Sequence, residues 1–242
     1  MAVKSLRSSL AILTRIPLRV DAPGRWTVAW FWLPGLLAGL VWYLSFRVFG
    51  PTTFGMVGAL GGEALLTGGE PWRGFLKTFD GWMAPAHERI QVRRASHLGA
   101  SGAVFLGLAL LVFWSLWRHG NNLSSAWVWI LPPLWARSLM GWTFSWRRLD
   151  ASSASFYRLA EATDGGVGSW IPLLVGLVLG GVMIGFLSIN VFGASLVLVG
   201  LFLLWGRRVF GGMNQELLGA AAILTEMISL YLLIVMTGTP IY

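Results

Sequence analysis

The longest uninterrupted apolar stretch of the chain runs from Gly165 to Gly206, and its 42 residues include no Asp, Glu, Lys or Arg. As one helix it would be about 63 Å long at 1.5 Å per residue, roughly twice the hydrocarbon thickness of a bilayer. We therefore expect two membrane-spanning helices, with a break near Ser188–Asn190. This stretch alone indicates an integral membrane protein.

Further apolar segments are long enough to cross a bilayer, which takes about 20 residues in a helix. They are Trp26–Phe46, Pro51–Gly69, Leu98–Trp117, Leu123–Trp146 and Leu217–Met236. Only 12% of the residues are charged, against about 25% in a typical soluble domain. No polar linker divides the chain, so we predict one domain over 1–242, an all-α polytopic helical bundle with about seven transmembrane helices.

The distribution of basic residues predicts the orientation of this bundle, because cytoplasmic segments of membrane proteins carry an excess of Lys and Arg. Fifteen of the 18 Lys and Arg residues fall in the segments 1–25, 70–97, 147–169 and 206–216. With seven spans and a cytoplasmic N-terminus, two spans separate each of these segments from the next, so all four lie on the cytoplasmic side. We expect an amphipathic basic lead-in at 1–25, cytoplasmic loops at the other three segments, and residence in the cytoplasmic membrane of a bacterium or archaeon. The same reasoning explains the net charge of +8 by these cytoplasmic segments, so the charge does not indicate nucleic-acid binding.

Three ionisable residues fall inside the predicted spans: Glu63, Arg137 and Glu226. Such groups are costly in lipid, so they should face the bundle interior or a wet cavity. Two interpretations stay open. Arg137 could pair with a carboxylate and fix the register of the helices, or Glu226 could act on a substrate.

Glycine and basic residues are concentrated in two of the predicted cytoplasmic loops, a combination suited to phosphate oxygens. The candidates for phosphate binding are Gly68, Gly69, Arg73, Lys77, Arg93, Arg94, Gly211 and Gly212. Asp80 and Glu216 could hold a Mg²⁺ ion that bridges a pyrophosphate, since Mg²⁺ is bound by one or two carboxylates plus phosphate oxygens. The alternative is that the arginines only contact anionic lipid. The chain has no cysteine, so thiolate metal sites and cysteine nucleophiles are excluded.

Four blocks of the sequence resemble the adenosylcobinamide-GDP ribazoletransferases, or cobalamin synthases. The first, Ile12–Leu18, is similar to the family's F-x-T-R-[IL]-P. The second, Thr67–Gly81, aligns without a gap with T-G-G-x-H-x-D-G-x-x-D-x-x-D-G. The third, Ala95–Gly102, resembles D-S-[RH]-[IL]-G-x-x-G, and the fourth, Gly211–Ala220, resembles G-G-x-T-G-D-x-x-G-A followed by a helical glutamate, here Glu226. The order and spacing of the blocks cover essentially the whole chain.

The resemblance implies a membrane transferase that joins adenosylcobinamide-GDP to α-ribazole or its 5′-phosphate. A ribose oxygen of the acceptor would attack the β-phosphorus, and GMP would leave. Asp80, Glu216 and Glu226 would then be catalytic, with Asp80 and Glu216 as the Mg²⁺ ligands. The corrinoid nucleotide, α-ribazole and the lipid bilayer are the implied partners.

The second block departs from the family pattern, because Arg73 and Lys77 stand where the family has aspartates and Asp80 alone is retained. Two readings follow. In one, Arg73 and Lys77 clamp phosphate directly and the transferase works with little or no Mg²⁺. In the other, the chain is a catalytically impaired homologue, a corrinoid- or nucleotide-binding subunit that forms a homo-oligomer or associates with an intact homologue.

Overall fold

In the computed structural model, the residues described are 2–18, 23–95, 97–123, 126–146, 154–163 and 166–236. These residues form α-helices and short 3-10 turns, and none of them is in a strand. The α-helices are α1 (Ala2–Leu13), α2 (Trp32–Phe49), α3 (Thr53–Thr67), α4 (Glu70–Met83), α5 (Arg89–Arg94), α6 (Ala100–Arg118), α7 (Leu131–Thr143), α8 (Ala154–Thr163), α9 (Ile171–Ile184), α10 (Leu187–Phe210) and α11 (Gln215–Met236). The predicted all-α polytopic bundle is confirmed.

Five helical segments among the described residues are long and apolar enough to span a membrane. They are Val28–Phe49, Ala100–Arg118, Val167–Ile184, Leu187–Phe210 and Gln215–Met236. The other two predicted spans correspond to α3, with 15 residues, and α7, with 13 residues. A 3-10 turn at Ala126–Ile130 leads directly into α7. The number of seven crossings and the cytoplasmic N-terminus stay predictions.

The break in the long apolar stretch comes slightly earlier than the expected Ser188–Asn190. α9 ends at Ile184, and Gly185 adopts φ +62°, a conformation that favours glycine because it has no Cβ. The hydroxyl of Ser188 then donates to the carbonyl of Gly185 at 2.8 Å. The position of the break is therefore set by the glycine, and Ser188 already belongs to the first turn of α10.

Helix α11 is the centre of the bundle and packs against α4, α7 and α10. Around it, α2 packs against α3 and α7, and α6 packs against α4. A Cβ on Gly35 of α2 would lie 2.9 Å from the Cα of Leu134, so α2 and α7 approach closely at glycine. Apolar side chains of the outer helices, such as Leu108, Val182 and Leu201, are exposed, as lipid contact requires.

The segment 70–97 is not an extended polar loop, because its first half is the helix α4. Pro71 stands in the first turn, where its missing N–H costs nothing. Apolar residues at Phe75, Leu76 and Phe79 recur at helical spacing and are buried. The glycines of this stretch serve close contact between helices. The segment is thus a buried amphipathic helix with part of its charge turned inward.

The other predicted connecting segments also contain helix. α10 continues to Phe210 inside the segment 206–216, and α8 lies inside 147–169. Residues 147–153 and 164–165 of the latter are outside the described residues. The lead-in contains α1, whose buried positions are Ser5, Ser8 and Ser9 and not its leucines, and its place at the membrane surface stays a prediction. Small polar side chains allow this helix to lie close against the bundle.

Candidate active site

The turn between α3 and α4 brings the first and second sequence blocks into contact. Gly68 and Gly69 adopt φ +71° and +72°, so two successive residues are left-handed. The backbone N–H of Arg15 donates to the carbonyl of Leu66 at 2.6 Å, and the side chain of Arg15 lies directly over Gly68. Glycine is favoured at position 68 by its left-handed conformation, and a Cβ there would displace the side chain of Arg15.

The second and fourth blocks meet where α4 crosses α11. A Cβ on Gly74 would lie 2.6 Å from the carbonyl oxygen of Glu216 and 2.9 Å from the Cα of Gly219. On the other side, a Cβ on Gly219 would lie 3.0 Å from the carbonyl oxygen of Pro71. The two helices therefore touch through backbone, which places the first turns of α4 and α11 side by side.

The third block is held by the second half of α4. The two carboxylate oxygens of Asp80 accept hydrogen bonds from the backbone N–H groups of Gly99, at 2.8 Å, and Gly102, at 2.6 Å. These donors belong to the N-terminal end of α6, where unsatisfied N–H groups favour an anion. The ammonium of Lys77 donates to the carbonyls of Ala95 and His97, the latter at 2.8 Å. Both side chains are buried, so Lys77 and Asp80 form a clamp on residues 95–102.

The remaining predicted phosphate-binding residues are not gathered at one open surface. Arg93 is buried, with its guanidinium 5.3 Å from the ring centre of Phe210, whereas Arg94 is exposed. Gly211 ends α10 with φ +75°, and Gly212 is buried. We conclude that Arg93 contributes to packing between α5 and the end of α10.

Two adjoining cavities lie beside the first turns of α4 and α11. The smaller, of about 120 Å³, is polar and is lined by Glu70, Arg73, Gly74, Gln215 and Glu216. Arg73 and Glu70 form an exposed ion pair at 3.4 Å, and Glu216 is half-buried. This polar cavity combines one guanidinium with two carboxylates, a set that can bind a phosphate group and accept a proton.

The larger cavity, of about 320 Å³, extends from the same point into the bundle. It is lined by Ala11, Ile12, Leu13, Phe31, Thr67, Glu70, Pro71, Arg137, Met140, Phe144, Leu159, Gln215, Leu218 and Gly219. Glu70 and Gln215 border both cavities. The larger cavity is therefore mostly apolar, and it meets the polar cavity at Glu70 and Gln215.

Beneath the larger cavity, the three intramembrane ions form one buried group. The guanidinium of Arg137 donates to both Glu63 and Glu226, and the indole N–H of Trp42 donates to the other oxygen of Glu63 at 2.7 Å. The predicted pairing of Arg137 with a carboxylate is thus present, with two carboxylates and not one. Among the described residues, no hydrogen-bond partner is found for Glu226 Oε2. Glu226 lines neither cavity, but its partner Arg137 lines the larger one.

The residues present do not fit a magnesium ion shared by Asp80 and Glu216. Both oxygens of Asp80 are already bound to the α6 amides. On α4, the residue that contacts the backbone of Glu216 is Gly74. Asp80 follows Gly74 by six residues, which places it about 9 Å further along the helix and about 120° around its axis, away from Glu216. Within the described residues, no group of three or more His, Cys, Asp or Glu side chains is arranged to hold a metal ion. Magnesium stays a prediction of the sequence.

The fold and the cavities define a polytopic membrane protein with a polar site beside the first turn of α4, the helix of the second block, which contacts the third and fourth blocks directly and the first block through the turn before it. Comparison with known proteins identifies the family. The model of cobalamin-5-phosphate synthase matches residues 5–234, and the chain belongs to this family.

Curated relatives agree with this assignment. The chain is 32% identical to the adenosylcobinamide-GDP ribazoletransferases of two Prochlorococcus marinus strains, MIT 9303 and MIT 9313, over 85% of this chain and 84% of each relative. It is 33% identical to the enzyme of that name from Shewanella denitrificans over 36% of this chain and 35% of the relative. No solved structure matches the chain.

Sequence reasoning missed Glu70 and Gln215, which border both cavities. Glu70 carried a usable signal, because an acidic residue three positions before Arg73 on a helix forms a pair. That signal depended on recognising α4 as a helix. Gln215 offered none, since its place at the site follows from the packing of α11 against α4.

Proposed function

We propose that this protein is an adenosylcobinamide-GDP ribazoletransferase, which joins adenosylcobinamide-GDP to α-ribazole or its 5′-phosphate with release of GMP. The observation that carries the proposal is the convergence of all four sequence blocks on α4. The first block contacts the turn just before α4, the fourth block meets the first half of α4, where the polar cavity opens, and the third block is held by its second half. The similarity to relatives with this name, over 85% of the chain, supports the same activity.

In the proposed reaction, a ribose hydroxyl of the acceptor attacks the β-phosphorus of the donor. The new P–O bond replaces the bond from that phosphorus to the oxygen that bridges the two phosphates, and GMP leaves with the bridging oxygen. The protein's task in such a transfer is positioning and charge stabilisation. No step requires a covalent bond to the chain.

The polar cavity supplies groups for each of these tasks. Arg73 binds the pyrophosphate, because guanidinium donates in the fork geometry that phosphate oxygens accept. Glu70 holds Arg73 in place through the 3.4 Å ion pair. Glu216, half-buried in the first turn of α11, accepts the proton of the attacking hydroxyl. This assignment uses Glu216 as a base, and no step is routed through a metal.

The test is GMP release by the purified protein supplied with adenosylcobinamide-GDP and α-ribazole. Wild type should form GMP, and Glu216→Gln should lower kcat by about 100-fold or more because the general base is lost. Glu161→Gln is the matched control, since Glu161 is exposed on α8 and lines neither cavity. Absence of GMP from wild type with or without Mg²⁺ would overturn the proposed activity.

One observation favours a second candidate, a binding subunit without turnover. Lys77 and Asp80, two of the four charged residues of the second block, are bound to backbone groups of the third block. Such a subunit would bind the corrinoid nucleotide and form an oligomer or join an intact homologue. It predicts donor binding with no GMP, so the same assay separates the two functions.

We also propose that the site faces the cytoplasm and that the protein resides in the cytoplasmic membrane. The concentration of fifteen of the 18 basic residues in four segments supports this orientation. Labelling of single cysteines, introduced into the cysteine-free chain at Arg94 and Arg118, tests it. Arg94 should be protected from an impermeant reagent in intact cells and Arg118 labelled, and the reverse pattern would contradict the orientation.

A further inference from the structure

We infer that the buried group of Glu63, Arg137 and Glu226 is a proton-binding site, in which Glu226 is a neutral carboxylic acid and Glu63 is the counter-ion of Arg137. These residues take no part in the proposed reaction, so their protonation does not depend on transferase activity. The charges, the hydrogen bonds and the burial of the three side chains carry the inference.

The charges of the group do not balance if both carboxyl groups are ionised. Arg137 is permanently positive, and its guanidinium donates to both Glu63 and Glu226. Two carboxylates on one guanidinium would leave one excess negative charge. Each of the three side chains is at most 2% exposed, and an uncompensated charge at such depth is removed by protonation because a buried ion costs far more than a neutral acid. One proton makes the group electrically neutral.

The guanidinium also places the two carboxyl groups side by side. Glu226 is bound to one terminal nitrogen of Arg137, Nη1, and Glu63 is bound to the other, Nη2. These two nitrogens belong to one planar fork, so the two acids are close neighbours. Two carboxyl groups that share a site in this way do not both ionise readily, because their negative charges repel each other.

The hydrogen bonds identify Glu226 as the acid that carries the proton. Both oxygens of Glu63 accept a hydrogen bond, Oε1 from Arg137 and Oε2 from the indole N–H of Trp42 at 2.7 Å. Glu226 accepts from Arg137 through Oε1, and no donor among the described residues reaches its Oε2. Donors stabilise the ionised form of a carboxyl group, so Glu63 is the stronger acid of the two. The proton is therefore on Glu226 Oε2.

The other titratable side chains on the elements packed around α3, α7 and α11 are exposed, bound elsewhere or near helix ends. They are Tyr43 and Arg47 of α2, Glu70, Arg73, Lys77 and Asp80 of α4, Arg118 of α6, His119 directly after α6, Arg207 and Arg208 of α10, and Glu216 and Tyr231 of α11. Tyr43 stacks on Trp127, and Tyr231 is 48% exposed. Within the described residues, none of these side chains forms a hydrogen bond or ion pair with the buried group.

The experiment is infrared spectroscopy of the purified protein in detergent micelles at neutral pH, because a protonated carboxyl group has a C=O stretching band that a carboxylate lacks. Wild type should show this band, and Glu226→Gln should lose it. Glu161→Gln is the matched control and should keep the band, since Glu161 is exposed on α8. Glu63→Gln should also lose the band, because Glu226 must then ionise to compensate the buried Arg137.

Thermal unfolding measures the same proton in a second way. A glutamate in the unfolded chain releases its proton above about pH 4.3, whereas Glu226 keeps it in the folded protein, so the native state binds one proton more. The resulting stability is complete below that pH and is lost as the pH rises, until Glu226 ionises in the folded protein. The folding equilibrium constant of wild type, divided by that of Glu226→Gln, should therefore fall about tenfold per pH unit across this range. The ratio cancels the titration of the histidines, which both proteins share.

Absence of the acid band from wild type would overturn the proton site, and this measurement needs no variant. A band that persists in folded Glu226→Gln would overturn its assignment to Glu226. Failure of Glu226→Gln to fold, beside a Glu63→Gln protein that folds, would do the same, since glutamine resembles the neutral acid. GMP release is measured separately, so loss of the proposed activity leaves the proton site standing.

Discussion

The two halves of α4 use their charges for different purposes. In the second half, Lys77 and Asp80 are buried and bound to the backbone of residues 95–102. In the first half, Glu70 and Arg73 are exposed at a cavity and bound only to each other among the contacts described. The family's motif runs through both halves, so motif membership does not tell which residues contact a ligand. Charges that are satisfied by backbone build the fold, and charges that border a cavity are available to the substrate.

The largest effect on stability is expected at Arg137, a fully buried cation that is bound to two buried carboxylates. Arg137→Met would leave Glu63 and Glu226 buried without their cation, which should cost about 3–5 kcal/mol. Thermal unfolding in detergent micelles measures this loss. Arg118→Met is the control, because Arg118 is exposed beside Trp114 at the end of α6. Equal unfolding temperatures for the two variants would contradict the structural role of the buried group.

The next effect tests the clamp directly. Asp80→Ala removes the acceptor of two backbone N–H groups at the start of α6 and should cost about 2–3 kcal/mol. Asp80→Asn keeps one acceptor oxygen and should fall between Asp80→Ala and wild type. If Asp80 acted through a bound metal, EDTA would lower the unfolding temperature of wild type towards that of Asp80→Ala. We expect EDTA to leave the difference between them unchanged.

A smaller loss is expected from the other member of the clamp. Lys77→Met removes the donor to the carbonyls of Ala95 and His97 and should cost about 1–2 kcal/mol, because those carbonyls then rely on water. Unfolding temperature is again the measurement. Lys77→Arg retains the charge and the donors and should recover part of the loss. A Lys77→Met protein as stable as wild type would remove the distinction between the two halves of α4.

The smallest effect on stability is expected at Arg73, the contrasting position. Arg73→Met breaks one exposed ion pair and should change stability by less than about 0.5 kcal/mol. The comparison is made with Lys77→Met under the same conditions, since both variants remove one cation from the same helix. Destabilisation of Arg73→Met comparable to that of Lys77→Met would show that the first half of α4 also serves the fold.

The fold was largely predictable because membrane spans are read from hydropathy alone. The 42 uncharged residues from Gly165 to Gly206 identified two helices, and the costly ions at Arg137, Glu63 and Glu226 made a buried pairing one of two open interpretations. Which carboxylates met Arg137 could not be derived, because residues so distant in sequence are joined only by the packing of α3, α7 and α11.

The site was less predictable, because the charged side chains in the second half of α4 bind backbone groups of another segment. The sequence suggested that Lys77 and Asp80 would contact phosphate or metal, yet the carbonyls and amides that they bind belong to every residue and leave no trace in the sequence. The helical nature of α4 was accessible from the spacing of Phe75, Leu76 and Phe79, but the glycines around these residues suggested a loop. Arg73 was the one predicted phosphate-binding cation that lines the polar cavity.

The central claim is that Arg73 at the open end of α4 binds the donor. Titration of adenosylcobinamide-GDP into folded wild type, Arg73→Met and Lys77→Arg tests it most directly. Loss of a guanidinium that donates to phosphate should weaken donor binding by about 10- to 100-fold in Arg73→Met. Lys77→Arg should bind the donor as wild type does. Donor affinity that is unchanged in Arg73→Met would contradict the account.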